Sequence, residues 1–196
     1  MGCVPAVKGY FQAVRAICDK YGALLILDEV MCGMGRTGSM HAWQSPLIGV
    51  TPDIQTIGKG LGGGYAPIAG VLISRKVTDT LFQGTGAFTH GQTYQGHPVS
   101  CRAALEVLRT LHDEKLVQNA AVMGRKLEEL LKRFVLPLPH VGDVRGKGLF
   151  WGVSVYLRQI SNAILTTGTD RVCQRQDNER AVRSERECCN EHPRER

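Results

Sequence analysis

The sequence predicts an α/β fold with a largely parallel sheet, and three observations point to it. Short segments of strand length and pattern recur at residues 23–27, 54–57 and 68–74. Longer stretches with apolar residues at helical spacing, 5–21, 98–112 and 115–134, are interspersed with them. Glycine is high, at 23 of 196 residues, and it clusters where the strands end, which suits loops that bring backbone close to a ligand.

In chain order, Phe11, Val14, Ile17, Cys18 and Tyr21 line one face of a first helix, and Gly22 stops it. The run Ala23-Leu24-Leu25-Ile26-Leu27 is continuously apolar, as expected of a strand buried on both faces, and it ends in Asp28-Glu29. A glycine-rich loop follows over residues 32–39. The second strand, 54–57, runs into Gly58-Lys59-Gly60 and then Gly62-Gly63-Gly64, ahead of the third strand at 68–74. Residues 88–96 form a polar loop, and Pro98 opens the next helix, with Cys101, Ala104, Leu105 and Leu108 on its apolar side. A further helix covers 115–134, and a last strand covers 149–155. After that the pattern dissolves. Lys disappears and Arg becomes denser, so residues 158–196 are expected to be disordered.

Composition narrows the classes. With 43% hydrophobic and 21% charged residues the chain has a globular make-up. Its longest apolar stretch, residues 66–73, is far short of the roughly 20 residues of a membrane span. The net charge of +6 is spread out, with no Lys/Arg block and no aromatic interleaving, so neither nucleic acid nor membrane is an expected partner. Seven cysteines, an odd number without a CxxC pair, argue against a disulfide framework or a zinc site. No secretory signal is evident, and the expected compartment is cytoplasmic, with mitochondrial as the alternative.

Gly33-Met34-Gly35-Arg36-Thr37-Gly38 matches GxGxxG, but the strand already ends at Asp28-Glu29, and too few residues precede Pro46 for a crossover helix. A dinucleotide site is therefore not expected. Lys59 is more informative. Flanked by glycines at a strand end, it reads either as an exposed lysine in a glycine turn or as a buried one. Burial would depress its pKa and make it a nucleophile for carbonyls. Asp28 likewise reads either as a structural carboxylate, capping a helix or pairing with Arg36 or Lys59, or as the acid that meets a protonated ring nitrogen. Both residues end strands, where ligands bind in α/β folds. A Schiff-base lysine with an acid for a pyridinium nitrogen is the pyridoxal phosphate arrangement.

These residues sit in a longer series of motifs. It runs Leu25-Ile26-Leu27-Asp28-Glu29-Val30, Gly35-Arg36-Thr37-Gly38, Trp43, Gly49-Val50-Thr51-Pro52-Asp53-Ile54, and Gly58-Lys59-Gly60-Leu61-Gly62-Gly63-Gly64-Tyr65-Ala66-Pro67-Ile68. His90-Gly91-Gln92-Thr93-Tyr94, Gly96-His97-Pro98 and Val144-Arg145-Gly146-Lys147-Gly148-Leu149 continue it. Over residues 5–155 the chain resembles the class III aminotransferases, pyridoxal-phosphate-dependent enzymes of fold type I. The resemblance implies amino-group transfer between an amino donor and a 2-oxo acid or aldehyde, and a homodimer. It places Lys59 in the role of the Schiff-base lysine that later moves a proton between substrate and cofactor. It places Asp28 at the pyridine nitrogen, Val30 against one ring face, and Thr93 at the phosphate of the neighbouring subunit's pyridoxal 5'-phosphate. Met31 stands where the family often has a Gln near the cofactor's phenolic oxygen. By the same resemblance residues 1–135 are part of a large domain truncated at both ends, and 136–157 begin a small C-terminal domain. The phosphate-cradling loop and second stacking aromatic of the family have no counterpart here. The alternative is a catalytically inactive remnant that binds cofactor weakly or docks to an intact homologue.

Overall fold

The computed structural model describes residues 2–156. All but the last of them belong to one compact unit, residues 1–155. The expectation of disorder over 158–196 falls outside the described residues.

Helix α1 (Tyr10–Tyr21) starts five residues later than its apolar pattern suggested, because Gly9 at its N-cap is left-handed, with φ 84°. Gly22, also left-handed, closes it by returning its N–H to the Cys18 carbonyl. Phe11, Val14, Arg15 and Cys18 form its half-buried side, whereas Ile17 and Tyr21 are exposed.

Strands β1 (Ile26–Asp28), β2 (Ile54–Ile57) and β3 (Gly70–Ile73) form one sheet in that order. β1 and β2 run parallel, pairing Ile26 with Ile54, Leu27 with Gln55 and Asp28 with Thr56. β3 runs antiparallel to β2. The segment joining them is a short 3-10 turn (Lys59–Gly62) and a glycine run, with no crossover helix that could return the chain in the parallel direction. The α/β character holds, with β3 as the strand that departs from the parallel direction.

The strand after α1 is not buried on both faces. Leu25 and Leu27 are 6% and 8% exposed, but Leu24 and Ile26 are 44% and 57% exposed. One sheet face, carrying Leu27, Gln55 and Ile57, packs inward. The opposite face, carrying Ile26, Asp28, Ile54, Thr56, Val71 and Ile73, is left open by the described residues. Inside lies a small core of Met34, Ile57, Leu61 and Ala104, with Met40, Ile68 and Leu108 packed on it. Ala104 and Leu108 come from α3 (Pro98–Asp113), whose first turn begins at Pro98 and is capped by the His97 ring, which accepts the Ser100 N–H at 3.4 Å.

The sequence pattern did not show α2 (Arg75–Gln83), a nine-residue helix whose half-buried side is Val77, Thr78 and Leu81. The long helix expected to 134 is α4 (Leu116–Leu130), and its last turn, Leu131–Val135, widens to a π-helix. β5 (Phe150–Val155) is the strand expected at 149–155, and it pairs antiparallel with β4 (Val141–Lys147). The turn of this hairpin meets the glycine-rich loop, where the Leu149 N–H reaches the Arg36 carbonyl at 2.9 Å. No helix among the described residues is long and apolar enough to cross a membrane.

Asp53 locks α1 to the sheet. Its Oδ2 accepts the Arg15 guanidinium at 2.7 Å and the Leu25 N–H at 2.8 Å. Burial pushes its carboxyl up, but the Leu25 N–H and Arg15 together outweigh this and hold it below the ordinary value of 3.8. A carboxyl lowered by folding stabilises the folded state above its unfolded pKa, and that contribution is lost as pH falls below it. Asp53→Asn is expected to lower Tm near about pH 7, and its deficit relative to the native chain should shrink between about pH 5 and pH 3. Thermal melts across that range check this, and a deficit that stays constant contradicts it.

Candidate functional site

Asp28 and Glu29 are adjacent acids with opposite fates, because successive side chains point to opposite sides of a strand. Glu29 turns inward and is 2% exposed, the most buried large side chain described. Its Oε2 accepts the Ala42 N–H at 2.7 Å and the Gln55 amide at 3.0 Å, and its Oε1 accepts the Trp43 N–H at 2.8 Å. The two backbone donors open the 3-10 turn Ala42–Gln44, which leaves such N–H groups without an internal partner. Gln55 extends the network. Its carbonyl takes the Trp43 indole N–H at 3.1 Å, and its amide nitrogen lies 2.9 Å from His41 Nδ1. The loop that looked like a dinucleotide fingerprint is thus a structural strap held to β2 by Glu29. It forms turns and no helix over Gly33–Gly38, so the site carries no dinucleotide geometry.

Asp28 turns outward onto the open face. Its Oδ1 accepts the Val30 N–H and the Thr56 hydroxyl, both at 3.0 Å. Its Oδ2 accepts no hydrogen bond among the described residues. The Val30 amide and then the Thr56 hydroxyl hold the carboxyl below its ordinary value against the effect of burial, and the positive charge of Lys59 adds to the lowering. The structural ion pair with Arg36 or Lys59 is not formed among the described residues, so Asp28 is an exposed carboxylate with one free oxygen.

Lys59 follows β2 directly, at the same end of the sheet. It is exposed rather than buried, which removes desolvation by the described residues as the means of activating it. Its backbone is left-handed, φ 45°, a conformation uncommon for a residue with a side chain. Both neighbouring glycines pack against the loop after β1. A Cβ on Gly60 would lie 3.0 Å from the Met34 Cβ, and one on Gly58 would touch the Val30 Cγ1 at 3.4 Å. Leu61 is buried in the core beneath. A cleft of about 290 Å³ opens beside the lysine, lined by Lys59, Gly64, Tyr65, Ala66, Pro67 and Ile68.

The structure therefore brings three of the four expected residues together. Asp28 and Lys59 are coupled through charge, and Val30 donates to Asp28 and packs beside Gly58. Thr93 is exposed on a turn at 93–96, and among the described residues no hydrogen bond links it to the other three. Thr56, Glu29 and Gln55 escaped the sequence reading. The spacing of Asp28 and Thr56 at the ends of two parallel strands was the available signal for the first. For Glu29 and Gln55 it was the pleat, which sends both inward. No group of three or more metal-ligating side chains lies among the described residues.

The family model described as aminotransferase class-III matches residues 1–180. An aminotransferase of Gibberella zeae is 54% identical over 153 residues, which is 78% of this chain and 30% of that protein. A diaminobutyrate–2-oxoglutarate transaminase of Halomonas elongata is 44% identical over 151 residues, covering 76% of this chain and 32% of that one. Among solved structures, a thermostable (S)-enantioselective omega-transaminase from Thermomicrobium roseum superposes with a TM-score of 0.70 at 47% identity, over 76% of this chain and 33% of that one. A taurine:2-oxoglutarate aminotransferase from Bifidobacterium kashiwanohense, in complex with PLP and glutamate, gives 0.70 at 37% identity, over 76% and 32%. The chain spans about a third of the length of the curated relatives it matches.

The two acids should separate in stability. Glu29→Ala removes the acceptor of the Ala42 and Trp43 N–H groups and one of the two partners of the Gln55 amide and is expected to cost about 3 kcal/mol or more, whereas Asp28→Ala should cost no more than about 1 kcal/mol. Denaturant unfolding of both variants checks this, and equal losses contradict the assignment of opposite faces.

Proposed function

The chain belongs to the class III aminotransferases, and we propose that its site serves the transfer of an amino group from an amino donor to a 2-oxo acid or aldehyde, with pyridoxal 5'-phosphate as cofactor. The observation that carries this is the pairing at the ends of β1 and β2, where an exposed lysine in a strained turn lies beside an exposed carboxylate with one unused oxygen. The donor set fits the cofactor. An aldehyde needs a primary amine within reach, and a ring nitrogen needs a carboxylate that is ionised. Asp28 is ionised at neutral pH because the Val30 amide, the Thr56 hydroxyl and the Lys59 charge favour its charged form.

When bound, the cofactor supplies an electron sink for the carbon that loses its proton. The remaining work falls to this chain. Lys59 would hold the cofactor through its Nζ and, once released from it, would move the proton at that same atom. Asp28 keeps the ring nitrogen protonated through Oδ2. Val30 would pack against one ring face, and Gly64, where a Cβ would meet nothing within 4 Å, lines the cleft beside Lys59. Thr93 serves the phosphate held by a second copy in a homodimer. Residues 1–135 then belong to the large domain and 136–157 to the beginning of a smaller one. That two relatives carry 2-oxoglutarate in their names supports a 2-oxo acid acceptor.

Borohydride reduction of the chain after incubation with pyridoxal phosphate, followed by peptide mapping, is expected to place the label on Lys59, and Lys59→Ala should abolish it. Label on Lys76 or Lys147 in place of Lys59 contradicts the assignment.

A further inference from the structure

Thr56 makes a contact that a strand residue does not need. Threonine suits a strand for its branched side chain alone, yet this hydroxyl spends its only proton on Asp28 Oδ1, 3.0 Å away. The register explains how it reaches. Asp28 and Thr56 are direct partners across the parallel β1–β2 pair, and both project from the open face. The second donor, the Val30 amide, arrives on the same oxygen at 3.0 Å. A carboxylate turns freely about its terminal bond, which has only a broad, shallow preference. Two donors converging on one oxygen remove that freedom and decide which oxygen is left over. The Thr56 branch at Cβ also limits its own rotation, so the hydroxyl is a stiff donor.

We infer that Thr56 is a positioning residue: with the Val30 amide it pins Asp28 Oδ1, so that Oδ2 alone is offered to the protonated nitrogen of a bound pyridine ring. The inference rests on the reading of Asp28 as the ring-nitrogen partner and adds the residue that aims it. Thr56 touches neither cofactor nor substrate in this role. It acts by keeping the carboxylate ionised and correctly turned. The lowered carboxyl of Asp28, to which the Thr56 hydroxyl contributes after the Val30 amide, agrees with the geometry.

The test uses the full 196-residue chain with two readouts that a purely structural threonine would not move. One is the Asp28 carboxyl titration, followed by carbon NMR without cofactor. The other is the signal of a ¹⁵N-labelled pyridoxal phosphate ring bound to the chain, which reports protonation of that nitrogen. Thr56→Val keeps the shape and removes the hydroxyl, and Thr56→Ala removes it without its methyl group. Both are expected to raise the Asp28 pKa by roughly one unit and to move the ring signal toward the unprotonated position, while Thr56→Ser restores both readouts. Asp28→Asn is the control and should move the ring signal fully. A ring signal that Asp28→Asn leaves unchanged overturns the reading of Asp28, and this inference with it. A signal moved by Asp28→Asn, with either readout unchanged in Thr56→Val and Thr56→Ala, overturns this inference alone.

Discussion

The buried carboxylate of Glu29 is the constraint on which the site rests. A charge taken this far out of water costs several kcal/mol unless its oxygens are satisfied, and the chain satisfies them with two backbone N–H groups and the Gln55 amide. That requirement fixes where residues 30–45 run. The loop must return so that Ala42 and Trp43 lie beneath β2, and in returning it places Met34 against Gly60. Gly60 then admits no larger residue without displacing Met34, and Lys59 beside it has a left-handed backbone.

The pleat of β1 completes the arrangement. With Glu29 inward, Asp28 is committed to the open face beside Thr56. There the surroundings do the opposite of burial, since two donors and a nearby cation all favour the ionised form. The carboxylate proposed to meet a ligand is therefore built on the exposed side, and the one that only holds structure is built on the dry side. The strain at Lys59 belongs to the same logic, because sparsely populated backbone is tolerated where surrounding packing over-determines it. Leu61 in the core and α3 beneath it supply that packing.

What could be read from the sequence follows from which features are local. β2 is found where expected because Pro52-Asp53 and Gly58 punctuate it at both ends, and α3 because Pro98 marks its first turn. Asp28 and Lys59 were identifiable because each ends a strand. The exposure of Lys59 was not foreseeable, since it depends on what lies over the open face. The same is true of Leu24 and Ile26, whose continuous apolar run promised two covered faces. Helix α2 was missed because its nine residues carry only a short apolar repeat, Val77 and Leu81. The division between Asp28 and Glu29 was hidden because two neighbouring acids look alike until the strand direction is known. Residue pairs such as Asp28 with Thr56 emerge only with the register.

The central claim is that Asp28 and Lys59 act on one bound molecule. A double-mutant cycle on pyridoxal phosphate affinity, comparing the native chain, Asp28→Ala, Lys59→Ala and the double variant by calorimetry, tests it most directly. If both residues hold the same cofactor, the losses are non-additive by at least about 1 kcal/mol. Losses that simply add, or an Asp28→Ala chain that binds as tightly as the native one, would contradict it.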